Sequence, residues 1–139
     1  MEKGLNELIS KLQKYISSDN FIDIAYEVVE EIEEREDSFE AVQPILGIME
    51  KNKDVDFGKP GPLVHFVEKF YKNGYEEKLV DSLKRCPTKH TVWMLNRIIN
   101  GSQGDRKVCF IKVLDDVIAF SNLDSEVLSL ANHFKSLHQ

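Results

Sequence analysis

The sequence predicts an all-α fold, and three observations carry that reading. Apolar residues recur with the 3.6-residue period of a helix along most of the chain. Proline, glycine and capping-type residues punctuate the pattern at helix-length intervals. No useful length alternates with the period of two that marks a strand. The one competitor, VCFIKV at 108–113, lies inside a longer helical run.

The first stripe is Leu5, Leu8, Ile9, Leu12 and Ile16, at i, i+3, i+4, i+7 and i+11. Ser18, Asp19 and Asn20 follow as N-cap chemistry for a second stripe of Phe21, Ile24, Ala25, Val28 and Ile32. Asp37 and Ser38 break that run. Ser38 is placed to cap a third helix through Val42, Ile45, Leu46 and Met49. Pro44 marks either a kink or a late start, because a mid-helix proline loses a backbone hydrogen bond. Residues 50–61, EKNKDVDFGKPG, have loop chemistry. Pro62 then suits a first helical turn, and Leu63, Phe66, Val67, Phe70 and Tyr71 run on to Gly74 as a C′ glycine. A helix from Tyr75 to Arg85 turns Leu79, Val80 and Leu83 inward and stops before Pro87. Thr88 caps the next, with Val92, Leu95, Ile98 and Ile99 as its stripe and Gly101 as its end. Val108, Ile111, Leu114, Val117 and Ile118 define another helix. The last starts at Asn122 or Asp124 and runs through Val127, Leu128, Ala131 and Phe134.

The total is seven or eight helices of roughly 10 to 17 residues. Linkers of about two to eight residues make consecutive helices antiparallel. Stacked pairs of HEAT-like or armadillo-like kind are one solution, and a compact helical bundle is the other. No repeat of fixed period chooses between them. Length favours one helical domain over residues 1–139, with acidic N-terminal helices in 1–50, a loop in 51–61 and C-terminal helices in 62–139.

Composition excludes several functions. Apolar residues make up 42%, with eight Phe, four Tyr and one Trp, so a real core is available. The net charge of −6 argues against a general nucleic-acid binder, which needs a cationic surplus to neutralise phosphates. Cys86 and Cys109 are too few for a disulfide framework and lack zinc-site spacing. The N-terminus carries acids early and shows no signal-peptide block, and no uncharged apolar run is long enough for a membrane span. A cytoplasmic protein with reduced thiols is expected.

Charge is unevenly spread. Residues 1–57 hold 15 acidic and 6 basic side chains, and residues 58–139 hold 9 and 12. Glu27 to Glu40, EVVEEIEEREDSFE, packs in eight acids against Arg35 alone. At about 100° per residue, Asp23, Glu27, Glu30 and Glu34 share the face opposite the apolar stripe, with Asp37 just beyond. Asp23–Glu27, Glu27–Glu31 and Glu30–Glu34 are like-charge i, i+4 pairs. Each costs the isolated helix roughly 0.2–0.5 kcal/mol, and Glu31–Arg35 returns about one such increment. The acids also gather toward the C-terminal end of the helix, where the dipole prefers cations. A solvated acidic helix that aids solubility is the plain explanation. A docking face for a cationic partner is the other, and it gains from the second half of the chain not being acidic.

Catalytic and metal chemistry is weakly represented. His65 sits in an apolar run, where a partly buried imidazole is expected. His90 lies near a helix start, and His138 is in the tail. No H-x-x-x-H or C-x-x-C pairing appears, so no metal or cofactor is expected. GKPGP puts proline where a phosphate cradle needs N–H groups, and NGSQGDRK lacks the P-loop pattern. Trp93, beside the Val92, Leu95, Ile99 stripe, is expected to pack in the core or a groove. The residues give no positive evidence for an enzyme.

Arg85 to Gly101, RCPTKHTVWMLNRIING, with GKPGPLVHFVEKFY upstream, resembles the small helical immunity proteins of bacterial polymorphic-toxin systems. It is most similar to those of contact-dependent growth inhibition, of the type paired with EndoU ribonuclease toxins. The likeness is clearest from about Gly58 to Gly101, with Pro87, Thr88, Thr91, Trp93, Leu95 and Asn96 as a shared structural signature. The resemblance implies a cytoplasmic, non-enzymatic partner that binds one cognate toxin domain and blocks its active site or substrate cleft. A basic nuclease cleft would meet the acidic ridge of Asp23, Glu27, Glu30, Glu34 and Asp37, with Asp54 and Asp56 from the loop. Nucleic acid and membrane are not expected as direct partners. The rival expectation is a helical-repeat scaffold or adaptor holding a peptide or protein domain. The least favoured is a hydrolase or nuclease using His90 with a nearby acid.

Overall fold

Residues 4–58 and 60–138 are described by the computed structural model. Among them are eight α-helices, one short 3-10 turn and no strand, so the chain is all-α. The helices are α1 (Leu5–Lys14), α2 (Phe21–Glu33), α3 (Val42–Lys51), α4 (Pro62–Glu68), α5 (Tyr75–Arg85), α6 (Lys89–Asn100), α7 (Gly104–Ile118) and α8 (Ser125–Leu137). VCFIKV lies within α7, as its surrounding period predicts. Two compact units divide the chain, residues 1–75 and 76–139.

In the first unit, α1 buries Leu8, Ile9 and Leu12, and α2 buries Phe21, Ala25, Val28, Val29 and Ile32. These faces pack on each other, and α2 also packs on α4 and α1 on α3. Asn20 does precede α2, but its side chain makes no capping bond; it accepts a hydrogen bond from Ser18 Oγ. Ser38 does not cap α3. It opens the 3-10 turn Ser38–Ala41, and α3 begins only at Val42. Pro44 therefore falls in the first turn of α3, where its missing N–H has no partner to lose. This is the late start, not the kink.

The loop after α3 is pinned rather than loose. Phe57 is 1% exposed and packs edge-on against Phe21, ring centroids 6.0 Å apart. Asp56 Oδ1 accepts the Gly58 N–H at 2.8 Å, a local Asx-type turn. Gly61 has φ +88°, and a Cβ there would lie 1.8 Å from the Phe57 carbonyl oxygen. Only glycine fits that close approach.

Pro62 occupies the first turn of α4 as its chemistry predicts. The helix is only 7 residues long, however, and ends at Glu68 instead of reaching Gly74. Beyond it, the amides of Lys69, Phe70 and Tyr71 donate to the carbonyls three residues back, tightening the chain out of the α-helix. Phe70 rests on Phe39 and Phe66 at centroid distances of 5.1 and 5.5 Å. Its apolar character serves this aromatic cluster, not another helical turn. His65, expected partly buried, is exposed, while Pro62, Leu63, Val64, Phe66 and Val67 of the same helix are covered.

In the second unit, α6, α7 and α8 each touch the other two. Thr88 caps α6 through a reciprocal box: the Thr91 N–H donates to Thr88 Oγ1 at 3.1 Å, and the Thr88 N–H donates to Thr91 Oγ1 at 3.0 Å. Both threonines are fully buried. Asp124, not Asn122, caps α8, accepting the Glu126 N–H at 2.8 Å. Buried Glu76 on α5 pairs with Arg106 on α7 and ties those elements together.

Candidate functional site

The acidic face of α2 is built by the helix itself. Its buried residues occupy one side, which leaves Asp23, Glu27, Glu30 and Glu34 exposed on the other. At 1.5 Å per residue these four carboxylates span about 16 Å along the axis. None of the four makes an ion pair among the described residues. Glu31 and Glu33 are exposed beside them, and the last turn carries no basic residue. The negative end of the helix dipole therefore adds to Glu30 and Glu34, whereas Asp23 lies in the first turn, where the dipole favours an acid.

The other three predicted residues stand apart from this row. Asp37 is half-buried and held by Arg35, whose Nε and Nη2 donate to its two oxygens at 2.7 and 3.0 Å. Those hydrogen bonds hold the Asp37 carboxyl below its usual range, and the positive charge of Arg35 adds to the effect against partial desolvation. Arg35 lies beyond the end of α2, so its guanidinium takes Asp37 and not Glu31, the partner its i, i+4 spacing suggests. Asp54 is exposed in the loop. Asp56 is exposed too, but one oxygen is committed to its own turn.

Two features escape a reading of the sequence. Tyr26 is 51% exposed and flanks the acidic row, one turn before Glu30. Its place off the apolar stripe is the available signal. Glu33 binds Lys69 Nζ at 2.6 Å, a pairing across 36 positions that no local spacing announces.

Trp93 corrects an expectation. It is 52% exposed, with its ring set edge-on to Phe134 at 4.7 Å, so it covers the core without entering it. Neither Cys86 nor Cys109 is in a disulfide. No group of three His, Cys, Asp or Glu among the described residues is arranged to hold a metal ion. No helix among them is long and apolar enough to cross a membrane. Comparison with protein families, with curated proteins and with solved structures finds no match to this chain.

Proposed function

We propose that this chain is a non-catalytic immunity protein that neutralises a cognate toxin domain by laying the acidic face of α2 against its basic substrate cleft. The observation that carries the reading is the exposed row of Asp23, Glu27, Glu30 and Glu34, none of them ion-paired among the described residues. A helix that served only its own fold would gain by spacing these charges or matching them with cations. Over about 16 Å the row offers one carboxylate per roughly 5 Å. One strand of duplex nucleic acid carries a phosphate per about 3.4 Å, so the two charge densities agree within a factor of two. A cleft evolved to hold phosphates of RNA, as in an EndoU-type ribonuclease, would accept such a row in their place. Asp54 extends the anionic surface, and Asp37 and Asp56 contribute less because their oxygens are already engaged. The proposed setting is the cytoplasm.

The test is co-expression with candidate nuclease toxin domains, read by pull-down and by rescue of growth. Replacing Glu30 and Glu34 together with lysine should leave the helical circular dichroism intact and weaken toxin binding by on the order of tenfold or more. Affinity for the toxin should also fall as salt rises, because exposed charges are screened. Unchanged affinity in the double variant would refute this placement.

A further inference from the structure

The outer face of α7 is apolar at its centre and charged on either side. This helix has 15 residues and buries only Leu114 and Val117. From Gly104 to Val113 none of its residues is buried, although the stretch includes VCFIKV. At about 100° per residue, Asp105, Val108, Cys109, Lys112 and Asp116 share the side opposite Leu114 and Val117, and all five are exposed. Val108 is 66% exposed, the most of any large apolar side chain among the described residues. Neither Asp105 nor Lys112 makes an ion pair among the described residues. Charges beside this face are engaged: Arg106 binds Glu76 and lies over the Phe110 ring, and Asp115 binds Lys135.

The order of charges along the face fits one occupant. Asp105 and Lys112 are two turns apart, about 10.5 Å, with Val108 and Cys109 midway between them. Turned end for end about that midpoint, the row is its own complement, because Asp105 changes places with Lys112. We infer that α7 joins two copies of this chain, antiparallel, across a two-fold axis level with Val108 and Cys109. Asp105 of each copy meets Lys112 of the other, so the ion pair forms twice. Val108 and Cys109 each face their own symmetry mates. Small side chains at the crossing let the helix axes approach to about 8 Å, the near end of the packing range. Asp116 reaches past the start of the other copy's α7 and meets no charge from it.

A parallel pair would set Asp105 against Asp105 and Lys112 against Lys112, so charge fixes the direction. A foreign helix with charge of one sign would meet a like charge at one end of the row. The chain's negative charge does not oppose the contact locally, since residues 76–139 hold 8 acids and 9 bases. This face shares no residue with the acidic row of α2 and is tested without a toxin, so its failure is distinct from failure of the immunity reading.

Sedimentation velocity of the whole chain should show a monomer–dimer equilibrium with a Kd on the order of 100 µM, as suits a small interface. Asp105→Lys and Lys112→Asp should each weaken it tenfold or more, because each variant sets like charges together twice. Both positions are exposed, so far-ultraviolet dichroism should not change. An equal mixture of the two variants should dimerise again as the wild type does, since every facing pair is then of opposite sign. A short bismaleimide should link Cys109 to Cys109 in the wild type and in the mixture, but in neither variant alone. The proposal is overturned by a wild-type chain that stays monomeric at about 1 mM. It is equally overturned by single variants that associate as the wild type does, by a mixture that stays monomeric, or by links that run through Cys86.

Discussion

The two units of this protein differ in how many acidic side chains they carry and in how closely these are gathered. Residues 1–75 hold 16 acids and 9 bases, whereas residues 76–139 hold 8 and 9. In the second unit four of the eight acids have structural work: Glu76 meets Arg106, Asp115 meets Lys135, Glu126 meets Lys89, and Asp124 caps α8, while Glu77, Asp81, Asp105 and Asp116 are exposed. In the first, Asp37 and Glu33 have cations, but Asp23, Glu27, Glu30 and Glu34 have none among the described residues. Both units have apolar cores of the same kind, so the contrast is not one of fold class. It separates charge that holds helices in place from charge gathered on one exposed helix face. Charge of the second sort draws attention to what lies outside it.

Substitutions can sharpen or break this contrast, and the largest effect should come from Glu76. Its carboxylate is buried against a partly exposed Arg106, so Glu76→Gln should lower stability by about 1–2 kcal/mol in urea unfolding. Next is Thr88→Ala, which removes half of the buried capping box and should cost about 1 kcal/mol by the same measurement. Glu34→Lys should do the reverse. It turns the Glu30–Glu34 repulsion into a favourable pair and places a cation at the negative end of α2, gaining about 0.5 kcal/mol. A loss of stability there would show that Glu34 serves the fold, and the contrast between the units would collapse.

The smallest effect is a pH dependence. Desolvation, and secondarily the charge of Lys107, pull the His138 pKa below its ordinary 6.5. The unfolded chain therefore takes up this proton at higher pH than the folded one. Stability should be full above about pH 6.5 and fall as the pH drops through that value, levelling off below the folded pKa. Thermal melts between neutral pH and pH 5 should reveal the trend, and His138→Gln should flatten it.

How much of this was legible follows from how local each cause is. The ends of α5 and the start of α6 were readable to the residue, because Pro87 and Thr88 act on their immediate neighbours. The end of α4 was not. Phe70 and Tyr71 keep the helical period, but Phe70 is recruited by Phe39, 31 positions away, while the backbone tightens. Exposure of the α2 acids followed from periodicity alone. Which of them are neutralised did not, since Glu33 depends on Lys69 just past the end of α4 and Arg35 takes Asp37 once α2 ends before it. Trp93 failed for a related reason: nothing local says whether a second helix will cover an indole or only brace its edge.

The seating of Phe57 on Phe21 has a mechanical consequence. With that ring stowed and Asp56 closing its own turn, the segment carrying Asp54 is clipped to the start of α2 like a button through cloth. A partner gripping both would find them already aligned, with little chain entropy left to surrender. Proteases, which need slack backbone to thread, should pass over this stretch until the aromatic button is cut away.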